Sequence, residues 1–174
     1  MRKRSQKKPA MGEIWVVNAS PVIALGGVGH LDLLSELSED TLLPLPVVEE
    51  LLAGPEGSQA RRAVEAGWGR RVPAETTSPR VLEWSLGAGE SAVLTVALEG
   101  KERRAVLDDA EGRGCAKTLG IPVIGTLGVV LRARKVGLIP SAAEVIRALR
   151  SSGLFLDQQL VQNALKAVDE EWNP

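Results

Sequence analysis

The chain has 174 residues, a net charge of −1, 44% hydrophobic residues, one Cys and one His. That length suits one domain, whose core buries roughly two-thirds of the unfolded surface. A lone Cys115 excludes an internal disulfide, a lone His30 excludes a His-rich zinc site, and four Trp with one Phe leave few platforms for base stacking. Oxygen is what remains for demanding chemistry: 22 Asp and Glu, a donor type suited to Mg2+ or Mn2+. The charge is uneven. Arg2, Lys3, Arg4, Lys7 and Lys8 make residues 1–12 a basic leader expected to be disordered, and the single domain at 13–174 is net acidic. Met11 is a second candidate start. No apolar run reaches the roughly 20 residues of a membrane span or matches a signal peptide, so cytoplasm is the expected location.

Strand-like and helix-like segments alternate along the chain. Ile14 to Val17 reads as a buried strand, followed by a break at Asn18-Ala19-Ser20-Pro21 where Ser20 caps a helix beginning at Pro21. Val22 to Leu25 and Leu31 to Leu37 read as helical, separated by Gly26, Gly27 and Gly29. Thr41 to Leu43 is a short strand ending at Pro44. Val47 to Leu52 is a helix stopped by Gly54-Pro55, and Ser58 to Ala66 is another. Arg71 to Ala74 reads as an edge strand and 75–87 as loop. A helix runs from Gly89-Glu90 to Gly100, and Arg104 to Leu107 is a second buried strand ending in Asp108-Asp109. A helix to Gly120, a strand over Ile121 to Ile124 and a helix from Gly125-Thr126 to Val136 follow. Helices over Ser141 to Ser151 and Asp157 to Glu171 close the chain.

This alternation predicts an α/β fold with a parallel sheet, in which the cleft lies beyond the carboxyl ends of the strands. The residues there are Asn18 and Ser20 after the first strand and Asp108 and Asp109 after the fourth. Glu90 sits in a first helical turn, which tolerates an anion. Glu49 and Glu50 lie mid-helix, about 100° apart, so only one faces a given cleft, and periodicity does not choose between them. Asp109 also suits the cap of its helix, as Thr126 suits the cap of the next. His30 and Cys115 read as structural residues.

The ordered segments Asn18 to Leu25, Pro46 to Leu51, Gly87 to Glu90, Leu107 to Arg113, Gly120 to Gly128 and Lys135 to Pro140 resemble PIN-domain proteins. More narrowly, they resemble a prokaryotic branch related to VapC-type toxins. The resemblance implies a three-layer α/β/α fold with a central parallel sheet and a Mg2+- or Mn2+-dependent endoribonuclease. It places the acidic positions on Asn18, Glu50, Glu90 and Asp108 or Asp109, with Ser20 as the small hydroxyl after the first. Glu50, Glu90 and Asp108 are the expected metal ligands. Asp108 is preferred over Asp109 because it comes first after the strand. Thr126 supports the site.

Asn18 departs from the Asp usual in PIN nucleases. It keeps a carbonyl acceptor and loses a full negative charge. Arg113, Lys117, Arg132, Arg134 and Lys135 are candidates for phosphate contacts, and Arg113 and Lys117 share a helix face. The implied partners are RNA, a second copy of the chain and a small antitoxin, which would make the chain the toxin of a toxin–antitoxin pair. Two alternatives stand beside this reading. One is a PIN scaffold without catalysis that binds nucleic acid or protein. The other is a response-regulator-like or phosphatase-like domain using Asp108-Asp109 and Thr126, against which the missing Asp after the first strand argues.

Overall fold

The computed structural model describes residues 12–173; the basic leader expected at 1–12 lies outside them except for Gly12. Five strands form one all-parallel sheet in the order β3-β2-β1-β4-β5. They are β1 (Ile14–Val17), β2 (Asp40–Pro44), β3 (Arg70–Val72), β4 (Arg103–Val106) and β5 (Val123–Ile124). Helices flank the sheet, giving the three-layer α/β/α architecture expected from the sequence. Trp15, Val16, Val17, Leu43, Ala105 and Val106 are fully buried. Consecutive strand residues can be apolar because helices cover both faces of a parallel sheet. The two edge strands are short, and β3 carries the charged Arg70 and Arg71, which discourages edge-to-edge pairing.

The connecting helices are α1 (Ala19–Gly27), α2 (Asp32–Glu36), α3 (Leu45–Ala53), α4 (Gln59–Glu65), α5 (Pro79–Leu82), α6 (Ala88–Leu98), α7 (Ala110–Thr118), α8 (Thr126–Lys135), α9 (Ala142–Ser151) and α10 (Gln158–Lys166). Several differ from the sequence expectation. Ser20 does not cap α1. The Asn18 N–H donates to the Val106 carbonyl at 2.9 Å, which carries the ladder one residue past β1, and the helix starts directly at Ala19 with Asn18 as its N-cap. Gly26 and Gly27 do not break α1. Gly26 is buried against the Ala60 backbone, and the turn falls at Gly29, whose φ is +77°. The expected loop at 75–87 contains α5, with Pro79 at its start. β5 is shortened because Pro122 has no N–H; its carbonyl still accepts from Ala105 at 2.8 Å. α10 stops at Lys166, and Glu170 is put to another use.

Two carboxylates tie the far ends of the chain to the sandwich. Glu13 accepts from both the Nε and an Nη of Arg104, from Arg132 at 2.8 Å and from the Trp15 indole at 3.1 Å, all at the amino end of β1. The Arg104 bonds dominate, outweigh the cost of burial and hold its carboxyl down at about 2. Glu170 accepts from Arg134 and Ser141 and from the N–H groups of Ala142 and Ala143, so it caps α9 from outside that helix. Burial opposes its charge, but these donors outweigh burial and lower its carboxyl to about 2.

A carboxyl lowered from its ordinary 4.5 contributes stability that is present above pH 4.5 and lost as the pH falls toward 2. Replacing Glu170 with Gln should therefore cost on the order of 3 kcal/mol at pH 7 and make the acid limb of the stability curve shallower below pH 4.5. Urea unfolding between pH 2 and 7 measures both; a variant with the parental acid limb would contradict this role for Glu170.

Candidate functional site

In an open parallel sheet, ligands bind where the strand order reverses. Here β1 leads outward to β2 and β3 on one side and lies beside β4 and β5 on the other, so the reversal falls between β1 and β4. The residues directly after these strands are Asn18 and Leu107-Asp108, and the Asn18 to Val106 backbone bond fixes their relative height.

Asn18 is 4% exposed. Its Nδ2 donates to Glu90 Oε1 at 3.3 Å, and its Oδ1 is buried with no hydrogen-bond partner. An unpartnered buried acceptor is costly, so its retention asks for an explanation. Gly89, in the first turn of α6, shows what lies around that oxygen. A Cβ built on Gly89 would stand 2.9 Å from Asn18 Oδ1, 3.1 Å from Glu50 Oε2 and 3.7 Å from Val47 Cγ2. A carboxamide oxygen from the end of β1 and a carboxylate oxygen from α3 therefore converge on one point over α6. Of the neighbouring pair Glu49 and Glu50, it is Glu50 that reaches this point. Burial, and secondarily the charge of Glu90, raises the Glu50 carboxyl above its ordinary value.

Asp108 forms a second group. Its Oδ1 accepts from the Thr126 N–H at 2.7 Å, and its Oδ2 accepts from Thr126 Oγ1 at 2.6 Å and from Ser20 Oγ at 3.4 Å. Thr126 is thus not the cap of α8. Gly125 holds the N-cap position, and Asp108 supplies the carboxylate from the end of β4, where the helix dipole favours an anion. Ser20, one residue into α1, joins this group. Asp109 turns the other way and caps α7 through the Gly112 N–H at 2.8 Å.

The five cations separate by position. Arg113 lies at the site: a Cβ on Gly125 would stand 2.6 Å from its Nη1 and 2.9 Å from Asp108 Oδ1. Lys117 is exposed one turn further along α7. Arg132 does not face the cleft, since it pairs with Glu13 at the opposite, amino end of β1. Arg134 pairs with Glu170. Lys135 ends α8, nine residues and about 14 Å of helix beyond Thr126. A helix that starts beside a strand's carboxyl end runs back toward its amino end, which is why the α8 cations leave the cleft. His30 follows α1 in a turn, with its N–H on the Leu25 carbonyl, and Cys115 is buried with its thiol pushed up by burial.

Sequence reasoning gave no role to Gly89, Gly112 or Gly125. Their signal was available: Gly87-Ala88-Gly89 immediately precedes Glu90, and Gly125 immediately precedes Thr126.

Among the described residues, no three Asp, Glu, His or Cys side chains gather closely enough to hold a metal ion. Instead, the Asn18 carboxamide oxygen and one Glu50 carboxylate oxygen converge at Gly89, and Glu90 accepts from the Asn18 amide nitrogen. All are oxygen donors, one is unpartnered, and the space between them is kept free of side chain. The donor chemistry fits a hard divalent cation, with Asn18 Oδ1, Glu50 and Glu90 as the groups that would hold it.

A parallel α/β/α sandwich with an oxygen-donor site at its strand reversal is the class that these features define. The sequence pattern of the PIN-domain family matches residues 14–170, nearly the whole chain, and the chain belongs to that family. PIN domains are generally nucleases that use divalent metal ions and act on nucleic acid. No curated protein matches the chain.

Changing Asn18 to Asp would replace the amide that donates to Glu90 with a second carboxylate. Without divalent cations the variant should lose on the order of 1–3 kcal/mol at pH 7. Like-charge repulsion is relieved by protonation, so the loss should shrink toward pH 4, and millimolar Mn2+ should reverse it. Thermal unfolding with and without EDTA checks this; an equal loss under all conditions would show that Asn18 does not neighbour a charged site.

Proposed function

We propose that this chain is a divalent-metal-dependent endoribonuclease that hydrolyses RNA phosphodiesters. The observation that carries the reading is the convergence of buried, unpartnered Asn18 Oδ1 and Glu50 Oε2 over Gly89, with Glu90 bonded to the same Asn18. Glu50 and Glu90 would supply the negative charge that holds a Mg2+ or Mn2+, which when bound would offer charge relief at the phosphate and an activated water. Asn18 orients Glu90 through Nδ2 and offers Oδ1 as a neutral donor. Thr126 and Ser20 fix Asp108 so that its carboxylate enters the site in one orientation. Arg113, beside Asp108, is placed to contact a phosphate oxygen, and Lys117 lies along the same helix for the next. With so few aromatics, contact falls on backbone and shape rather than on stacked bases.

The reading extends to the toxin of a toxin–antitoxin pair, with a homodimer and a small antitoxin as partners; its support is the family resemblance. No described helix is long and apolar enough to cross a membrane, and cytoplasm is the proposed location. A second reading, a non-catalytic PIN scaffold, draws on the amide at position 18 and the lack of a three-acid group among the described residues.

Cleavage of single-stranded RNA with Mn2+ separates the two. The wild type should cut, EDTA should stop it, and Glu90→Gln and Asp108→Asn should each fall by roughly a hundredfold or more. Equal cleavage by wild type and both variants would expose a contaminant and overturn the nuclease reading.

A further inference from the structure

Glycines line the site on several sides, and backbone conformation does not require them. Gly87, Gly89, Gly112 and Gly125 all have negative or extended φ, which any residue adopts. At Gly87, Gly89 and Gly125 a side chain would strike polar atoms of the site, and at Gly112 it would strike the core residue Leu107 beside it. A Cβ on Gly87 would stand 2.5 Å from Glu90 Oε2, and one on Gly112 would stand 2.8 Å from Leu107 Cδ1 and 3.7 Å from Glu90 Cγ. Gly89 differs from the others. It lies within α6, where Gly is a poorer helix former than Ala, and the oxygen nearest to its missing Cβ is the buried, unpartnered Oδ1 of Asn18.

We propose that Gly89 is a positioning residue for the divalent cation, its absent side chain keeping open the space that Asn18 Oδ1 and Glu50 Oε2 share. The inference rests on the metal-dependent reading of the same site. A Cβ at 2.9 and 3.1 Å from the two oxygens would occupy that space and push both aside. Mg2+ and Mn2+ also keep several waters when protein-bound, so the site needs room beyond the ligands themselves. This explains why a residue costly to a helix stands one position before Glu90, and why Asn18 leaves an acceptor buried without a partner.

The test uses full-length wild type, Gly89→Ala and Gly114→Ala, freed of metal with EDTA and titrated with MnCl2. Free Mn2+ is read by electron paramagnetic resonance and bound Mn2+ by the rise in Tm. Gly114 is the control, because a Cβ there meets only Trp84 at an ordinary 3.6 Å. The expected result is Mn2+ binding weakened by roughly tenfold or more in Gly89→Ala, with a metal-free Tm close to that of wild type, and unchanged binding in Gly114→Ala. Wild-type affinity in Gly89→Ala would overturn the inference while leaving the metal-dependent reading intact. No Mn2+ binding by the wild type would overturn both. If Gly89→Ala does not fold, the wild type decides: substoichiometric Mn2+ should broaden the Gly89 amide resonance early and spare the Gly114 amide, and the reverse order would overturn the inference.

Discussion

One backbone hydrogen bond sets the geometry of the site: the Asn18 N–H on the Val106 carbonyl, at 2.9 Å. It is the last rung between β1 and β4, the two strands at which the sheet reverses its order. Because it is made, the residues after both strands leave the sheet at the same height. Asn18 then begins α1, and Asp108 sits one residue beyond Leu107, within reach of Ser20 from α1 and Thr126 from α8. The sheet is buried on both faces and its interior is apolar, so this register is rigid. The candidate site therefore lies at the carboxyl edge, and the ion pairs of Glu13 with Arg104 and Arg132 are built at the opposite edge.

The charge at the site is balanced rather than maximal. Burial, and after it the charge of Glu90, raises the Glu50 carboxyl above its ordinary value. A third carboxylate at position 18 would add to that repulsion in a buried place. The amide avoids it by donating to Glu90 while still pointing an oxygen at the Gly89 space. Asp108 is kept slightly apart, its charge met by the Thr126 N–H and two hydroxyls at the start of α8.

Much of this was legible in the sequence, and the residues explain where legibility ended. Apolar β-branched runs such as Ile14 to Val17 marked the strands, and strand ends pointed to Asn18, Ser20 and Asp108. Helix caps were harder. Ser20 and Thr126 look like caps because hydroxyl residues before apolar runs usually are. At α1 the ladder bond of Asn18 moves the helix start to Ala19, ahead of Ser20, and at α8 a carboxylate from the end of β4 accepts from the Thr126 N–H; both are long-range contacts with no local signature. Asp109, whose partner lies three residues away at Gly112, left a local one. The choice between Glu49 and Glu50 needed the packing of α3 against α6. The direction of α8, back toward the amino ends of the strands, follows from the strand–helix order, but the pairing of Arg132 with Glu13 spans more than a hundred residues and has no local signal. The glycines were visible as residues, yet the collisions they avoid belong to other elements.

The proposed cation site is formed by Asn18, Glu50 and Glu90 beside Gly89. Crystals grown with Mn2+ and measured at a wavelength where manganese scatters anomalously test it directly. The expected result is an anomalous peak bounded by Asn18 Oδ1 and the carboxylates of Glu50 and Glu90, with the Asn18 amide still donating to Glu90. A well-ordered structure with no peak there, or with Asn18 Oδ1 turned away into a protein hydrogen bond, would contradict it.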